Sequence, residues 1–352
     1  MVLAGSVVIV AAAGGIGWFF LSPGAPSSTE IALGDRTGSI APPAKSAGPA
    51  GKAQPSGLSE VAVPQAAIRP LDGAAPTPED AAAWGVRLAA LPRQDLVEKS
   101  RFGPLPKIGA DGTRPLDAYA RPAPPAGNLP RVAIVVGGLG VAEGSTATTL
   151  DKLPGDVTLA FAPYGENIRA ALERARAGGH EILLQVPLEP YNYPAIDPGP
   201  HTLSTRAGAA ENLDDLRWLM SRLTNYVGVV NYMGARFTAD ADALGPVLAE
   251  IGRRGLLYLD DGSSAQSRAA DAAGSRVPFL QADVVLDADT TPEAIDQRLD
   301  QLAALARQRG YAIGTGSAFP VTVDRIDAFA AAAEKHSIVL VPVTAILSAN
   351  RS

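Results

Sequence analysis

The chain has no cysteine, which excludes disulfides, thiolate metal sites and a cysteine nucleophile together. That absence is compatible with either redox compartment. Aromatic residues make up only 5 %, against 47 % hydrophobic residues in all, so a core has to be assembled from Ala, Val, Leu and Ile. Histidine occurs three times, and a catalytic zinc wants about three protein ligands, usually with His among them. There is no excess of positive charge either: the net charge of −6 gives no general basis for binding nucleic acid. What the chain does have is proline (30) and glycine (36) in 352 residues. Many of the prolines precede Arg131, the pattern of a tail or linker ahead of a domain.

Val2 to Leu21 is uncharged throughout. A helix over that run spans roughly 30 Å, the thickness of a bilayer's hydrocarbon core, and Trp18, Phe19 and Phe20 lie near one end, where an aromatic belt is expected. Residues 1–21 are therefore read as a single membrane anchor. A cleaved signal peptide fits less well, because no small-x-small site follows and Pro23 sits close behind. A buried core helix fits least, since the next stretch offers nothing to bury it. No Lys or Arg precedes the segment, so flanking charge does not orient it.

Residues 22–100 read as a disordered Pro/Ala-rich linker that cannot bury enough surface to offset its ordering entropy. Within it, Pro78–Leu91 carries a short helix signal, with Thr77 as N-cap, Trp84, Leu88 and Leu91 on one face, and Pro92 as the stop. Residues 101–130 read as an extended arm packed against a domain, or as more linker.

From Arg131 the composition changes. Val132–Val136 is a continuous β-branched run closed by Gly137 and Gly138, the pattern of a buried parallel strand. Further strands are expected at Val157–Phe161, Glu181–Val186, Val227–Asn231, Leu256–Asp260, Asp283–Asp287, Ala312–Gly314 and Ile338–Val343. Helical patterns lie between them at Glu166–Ala177, Asn212–Leu223, Asp240–Arg254 and Pro292–Arg309. The last of these has Thr291 as N-cap and Gly310 beyond its end. Thr322 is expected to cap a final helix carrying Ile326, Phe329 and Ala333. This alternation implies parallel strands with helical crossovers, in a β/α barrel or an open doubly wound sheet. In both, chemistry sits at the C-terminal ends of the strands.

Those ends single out a few residues. Gly137, Gly138 and Gly140 match a dinucleotide fingerprint poorly in spacing. Gln185 and Glu189 follow the third strand, ahead of a long loop bearing Tyr193, Asp197 and His201. A loop of that length is more often functional than not, and its tyrosines are natural stacking faces for sugar rings. Asn231, Tyr232 and Arg236 follow the fourth strand. Asp260 and Asp261 follow the fifth, as candidates for charge chemistry or for pairing with Arg236; an Asx turn is the plainer reading of Asp261. His180 and His336 precede strands and belong at the opposite end, leaving His201 alone on the functional face. A zinc site from His201, Glu189 and Asp260 has no spacing motif behind it.

Read in order, Ala133-Ile134-Val135-Val136-Gly137-Gly138-Leu139-Gly140, Leu159–Tyr164, Gly179–Pro190, Pro198–Leu203, Asn231–Thr238 and Leu259–Ser264 resemble the divergent polysaccharide deacetylases of bacteria, over about Arg131 to Leu347. The resemblance implies a deacetylase-like (NodB-type) distorted β/α barrel with parallel strands over residues 131–350, an exported or membrane-attached setting, and a hydrolase acting on carbohydrate. It also implies an Asp-Asp pair where Gly137 and Gly138 stand, and His where Gln185, Tyr232 and Thr315 stand. Gly supplies no side chain, and amide or phenol oxygens are weak ligands beside carboxylate and imidazole. No metal and no cofactor is therefore expected, and whether the chain is an enzyme stays open.

The expected function is glycan binding in the strand-end cleft, by a protein held in the inner membrane with its domain in the periplasm. Gln185, Glu189, Tyr193, Asn231, Tyr232, Arg236, Asp260 and Asp261 would take part. One alternative is an active hydrolase with Asp260 or Glu189 as general base and Arg236 steadying the oxyanion. Another is a non-catalytic assembly role at the envelope.

Overall fold

The computed structural model describes Leu88 and Leu91–Ala349. The expected anchor, most of the expected linker and the Pro78–Leu91 helix up to Arg87 lie outside the described residues. Among the described residues no helix is long and apolar enough to cross a membrane.

The strands β3 (Arg131–Leu139), β4 (Thr158–Phe161), β5 (Ile182–Leu188), β6 (Gly228–Met233), β7 (Leu257–Asp260), β8 (Phe279–Gln281), β9 (Val284–Val285) and β10 (Tyr311–Ser317) form one parallel sheet. Their order is β8-β7-β6-β5-β4-β3-β10-β9, and β11 (Val339–Leu340) pairs with the start of β3. The two outermost strands are nearly consecutive in the chain. Between them the Ala282 N–H donates to the Asp260 carbonyl of β7 (2.9 Å), and the Asp283 N–H to the Ile313 carbonyl of β10 (2.8 Å). The sheet therefore curls into a partial barrel whose ends one segment bridges, and the open doubly wound alternative falls away.

Period-two alternation sorts the strand residues into two layers. Val132, Ile134 and Val136 of β3 join the outer core with Leu216, Leu219, Leu248, Ile251, Leu299 and Ile326 from the helices. Ala133 and Val135 join the inner core with Leu183, Val230, Leu257, Leu259 and Ile313. Each such buried aliphatic side chain stabilises the fold by about 1.5–3 kcal/mol relative to exposure, which is how a chain this poor in aromatics builds a core.

The crossover helices are α2 (Glu143–Lys152), α3 (Ile168–Ala177), α4 (Ala209–Met220), α5 (Ala241–Arg253), α6 (Ala269–Ala273), α7 (Pro292–Arg309) and α8 (Pro320–Ala331). In α7 Pro292 opens the helix and Gly310, at φ 84°, ends it in the left-handed region, as its sequence demands. The Thr291 hydroxyl makes no capping bond there. Thr322 does not cap α8: Phe319 holds that position. Thr322 lies buried inside the helix and its hydroxyl donates to Asp287 Oδ2 at 3.0 Å. The expected strand Ile338–Val343 shrinks to β11, because Val343 begins a further helix, α9 (Val343–Ala349).

The N-terminal end of the barrel is sealed. The hairpin β1 (Val97–Ser100) and β2 (Gly103–Pro106) and the short helix α1 (Pro115–Ala118) occupy residues expected to be linker and arm. Leu96, Leu116 and Tyr119 from this stretch, and Val343 and Ile346 from α9, complete the inner core. Buried ionic groups fasten the seal. Glu181 accepts from the Arg121 N–H (2.8 Å) and from the hydroxyl and N–H of Thr344. Arg176, 1 % exposed, donates to the Tyr119 carbonyl (2.7 Å). Burial pushes the Glu181 carboxyl up to about 7 and the Arg176 guanidinium down to about 10. Arg254 bridges Glu250 (2.8 Å), Glu98 of β1 (2.9 Å) and the Pro106 carbonyl of β2 (2.8 Å).

Candidate functional site

The opposite end is the mouth. Continuing the inward set of each strand by two residues leads from Val135 to Gly137, from Leu183 to Gln185, from Val230 to Tyr232, from Leu259 to Asp261 and from Ile313 to Thr315. These are the positions that can floor a cleft at the strand C-termini.

Gly137 and Gln185 fit each other. A Cβ built on Gly137 would lie 2.5 Å from Gln185 Nε2, and Gln185 Oε1 accepts from the Gly138 N–H at 2.7 Å. The amide thus fills the space a side chain at residue 137 would take. Across the mouth the Thr315 hydroxyl donates to the Asp261 carbonyl (2.8 Å). Tyr232 is 41 % exposed. Tyr193 is half-buried in the long loop, and beside it the exposed Tyr191 bonds through its hydroxyl to Gln266 of the loop after β7.

The acids sit differently from what strand-end position suggested. Asp260 is 1 % exposed; its Oδ1 accepts from the Gly262 N–H (2.9 Å) and its Oδ2 from the Ser267 hydroxyl. Asp261 Oδ1 accepts from the N–H and hydroxyl of Ser263 (2.8 and 2.7 Å), so both acids form Asx-type turns. Burial raises the Asp261 carboxyl above its ordinary value, against the bonds from Ser263 and Asn231 that lower it. Neither acid pairs with Arg236. That guanidinium faces Glu189 instead, at 3.5 Å from Oε1. Glu189 is fully buried, and its Oε2 accepts from the N–H (2.6 Å) and hydroxyl (2.7 Å) of Thr205 and from the Ser204 hydroxyl (3.2 Å). Burial pushes this carboxyl up, but the bonds from Thr205, Ser204 and Arg236 outweigh it and hold it below the ordinary value.

Glu189 also organises its surroundings through the backbone: its carbonyl accepts from the N–H groups of Arg236 (3.2 Å) and Phe237 (3.1 Å). A general base needs to reach a proton on the substrate, and both Asp260 and Glu189 are enclosed by the loops they organise. Asn231 is likewise 3 % exposed. Its Oδ1 accepts from the Asp261 N–H (2.9 Å) and the Tyr258 hydroxyl (3.4 Å), and its Nδ2 donates to the Met233 carbonyl (2.8 Å). It fixes two strand-end loops rather than facing the cleft.

The histidines are dispersed. His180 is buried before β5 with Nδ1 2.8 Å from the Val157 carbonyl, and burial lowers its pKa. His336 precedes β11 and lies against Phe329. His201 does follow β5, but its ring is drawn to α4: Nδ1 is 2.7 Å from Asp215, and the imidazole stacks on Trp218 at 3.9 Å. His201, Glu189 and Asp260 do not converge. Among the described residues no three His, Asp or Glu side chains are grouped to hold a metal ion.

Two features of the mouth escaped the sequence reading. Val141, Ile196 and Phe319 are exposed apolar side chains in the loops after β3, β5 and β10. The sign in the sequence was a large residue beside a strand-end turn, as in Ser317-Ala318-Phe319-Pro320. Arg268, after β7, shares an open depression of about 510 Å³ with Arg236, Thr205, Asp240 and Asp242; nothing in its local sequence marks it.

Residues 134–347 match the family model of the divergent polysaccharide deacetylases, and the chain belongs to that family. It is 25 % identical over 194 residues to the uncharacterized protein YibQ of Escherichia coli K12, and 24 % identical over 172 residues to an uncharacterized protein of Haemophilus influenzae. These alignments cover 55 % and 49 % of this chain and 60 % and 61 % of the relatives' own lengths. The crystal structure of the uncharacterized protein ATU2773 from Agrobacterium tumefaciens C58 superposes with a TM-score of 0.68 at 46 % identity, over 69 % of this chain and 99 % of that one. The carbohydrate-related family and the parallel-strand α/β fold therefore agree.

Proposed function

We propose that the domain binds a glycan of the bacterial cell envelope in the cleft at the strand C-termini, without a catalytic metal. In this reading residues 1–21 hold the protein in the inner membrane as a single span, and the domain lies in the periplasm. The observation that carries the proposal is the pairing of Gly137 with Gln185. The place where the family resemblance implies a carboxylate is filled by a neutral amide already bonded to the Gly138 N–H. The other inward positions supply a phenol, Tyr232, a hydroxyl, Thr315, that already donates to the Asp261 carbonyl, and one carboxylate, Asp261, whose Oδ1 is taken up by Ser263. With one carboxylate and no imidazole, that donor set does not suit a catalytic zinc, which calls for about three ligands of carboxylate or imidazole type.

It does suit a sugar. Amide and hydroxyl groups exchange hydrogen bonds with sugar hydroxyls, and the exposed faces of Tyr191 and Tyr232 offer stacking surfaces with a polar tip. The test combines metal analysis of the purified protein with titration of acetylated chito-oligosaccharides, followed by binding and by acetate release. Saturable binding with no acetate released and substoichiometric zinc is the expected result. Stoichiometric zinc together with acetate release would falsify the reading and restore the hydrolase.

A further inference from the structure

We infer that the depression beside the mouth, between Arg236 and Arg268, is a subsite for a carboxylate borne by the glycan. This rests on the glycan-binding reading above and names the chemical class of its ligand. Arg236 is held at both ends by one residue: the Glu189 carbonyl takes its backbone N–H, and Glu189 Oε1 lies 3.5 Å from Nη1. A guanidinium carries five N–H donors, and this one remains 40 % exposed, so it has donors to spare on the side that lines the depression. Arg268 reaches the same depression from the loop after β7. Its backbone N–H is fixed to the Thr238 carbonyl (2.8 Å), while its guanidinium, 58 % exposed, has only a 4.0 Å approach to Asp271.

One guanidinium held by Glu189 and a second, exposed one on the same open depression suit a planar carboxylate, which an arginine engages through a fork of donors. Asp240 and Asp242 offset the two arginines in formal charge, so recognition would rest on the direction of the guanidinium donors rather than on net charge. Asp240 Oδ1 is taken up by the N–H groups of Asp242 and Ala243 at the start of α5 (3.0 Å each). Asp242 is exposed and opposes an anion, so its removal should strengthen the site.

The experiment compares two disaccharides that differ by a lactyl carboxylate: N,N′-diacetylchitobiose, and N-acetylglucosamine joined β-1,4 to N-acetylmuramic acid. Binding of each to the full chain is measured by calorimetry at physiological ionic strength. The acidic disaccharide should bind about tenfold tighter, the scale of a charge-assisted contact. Arg268→Gln, an exposed change that should leave the melting temperature in place, should abolish that preference while leaving N,N′-diacetylchitobiose affinity unchanged. Arg236→Lys, which keeps the charge beside Glu189 but loses the fork, should reduce the preference, and Asp242→Asn should increase it. Equal affinity for the two sugars, or a preference that survives Arg268→Gln, overturns the subsite while leaving glycan binding standing. Binding of neither sugar overturns both.

Discussion

The two ends of the barrel handle charge in opposite ways. At the sealed N-terminal end, ionic groups are buried in dense networks that join distant parts of the chain: Glu181 to Arg121 and Thr344, Arg176 to Tyr119, and Arg254 to Glu250 and Glu98. At the mouth, the acids Asp260, Asp261 and Glu189 are held by their own loops, and the inward positions other than Asp261 are neutral. A buried charge tied to several partners is a structural commitment, because removing one partner leaves the other uncompensated. The mouth has one such commitment at its side, the buried Glu189 beside Arg236, and keeps Arg236 and Arg268 partly exposed.

The sharpest way to break this contrast is at Arg254, 3 % exposed. Its partner Glu250 is pushed up by burial but held at about 2 by the bonds of Arg253 and Arg217 and the charge of Arg254. Arg254→Met removes a bridge between α5 and the hairpin and should cost about 3–5 kcal/mol, measured by urea unfolding. A loss under about 1 kcal/mol would rank the network with ordinary surface pairs.

Next in size is a pH effect at Glu181. Its folded value of about 7 lies above the ordinary 4.5, so the folded state holds the proton more tightly than the unfolded chain. The stability this confers is fully present below 4.5 and is lost as pH rises through 7, a decline on the order of 3 kcal/mol. Glu181→Gln should flatten that stretch of the profile in thermal melts; an unchanged slope would assign it elsewhere. Glu250 acts with the opposite sign, since its depressed value withdraws stability as pH falls from 4.5 toward 2.

The smallest expected effect belongs to the mouth. Gly137→Ala places a Cβ against Gln185 Nε2, the far end of a flexible side chain, and should cost about 1 kcal/mol as mild overpacking. Gln185→Ala should remove that penalty, giving a coupling of about the same size in a double-mutant cycle. Additive changes would mean the two residues do not share the space.

Much of the fold was legible because buried parallel strands are written as unbroken aliphatic runs, as in Val132–Val136. The elements that escaped lack such a signature. Helix α2 contains three threonines whose hydroxyls bond back one turn, Thr146 to Ala142, Thr148 to Gly144 and Thr149 to Ser145. That pattern competes with helix in isolation. The hairpin Val97–Pro106 gains its place only from long-range partners such as Arg254. At the site, strand-end position located the right residues but not their direction. Asp260-Asp261-Gly262-Ser263 reads equally as a charged site and as two successive turns, and the choice depends on Asn231 and Ser267, which approach from elsewhere in the chain. Gln185 was visible as a departure from the family pattern; that it fills the room beside Gly137 follows only from the pairing of strands far apart in the chain.

Because the hairpin and α9 both close the rear of the barrel, the described chain enters and leaves on the side remote from the cleft. A bead or surface attached directly at Leu91 or Ala349 would therefore hold the domain by its closed end.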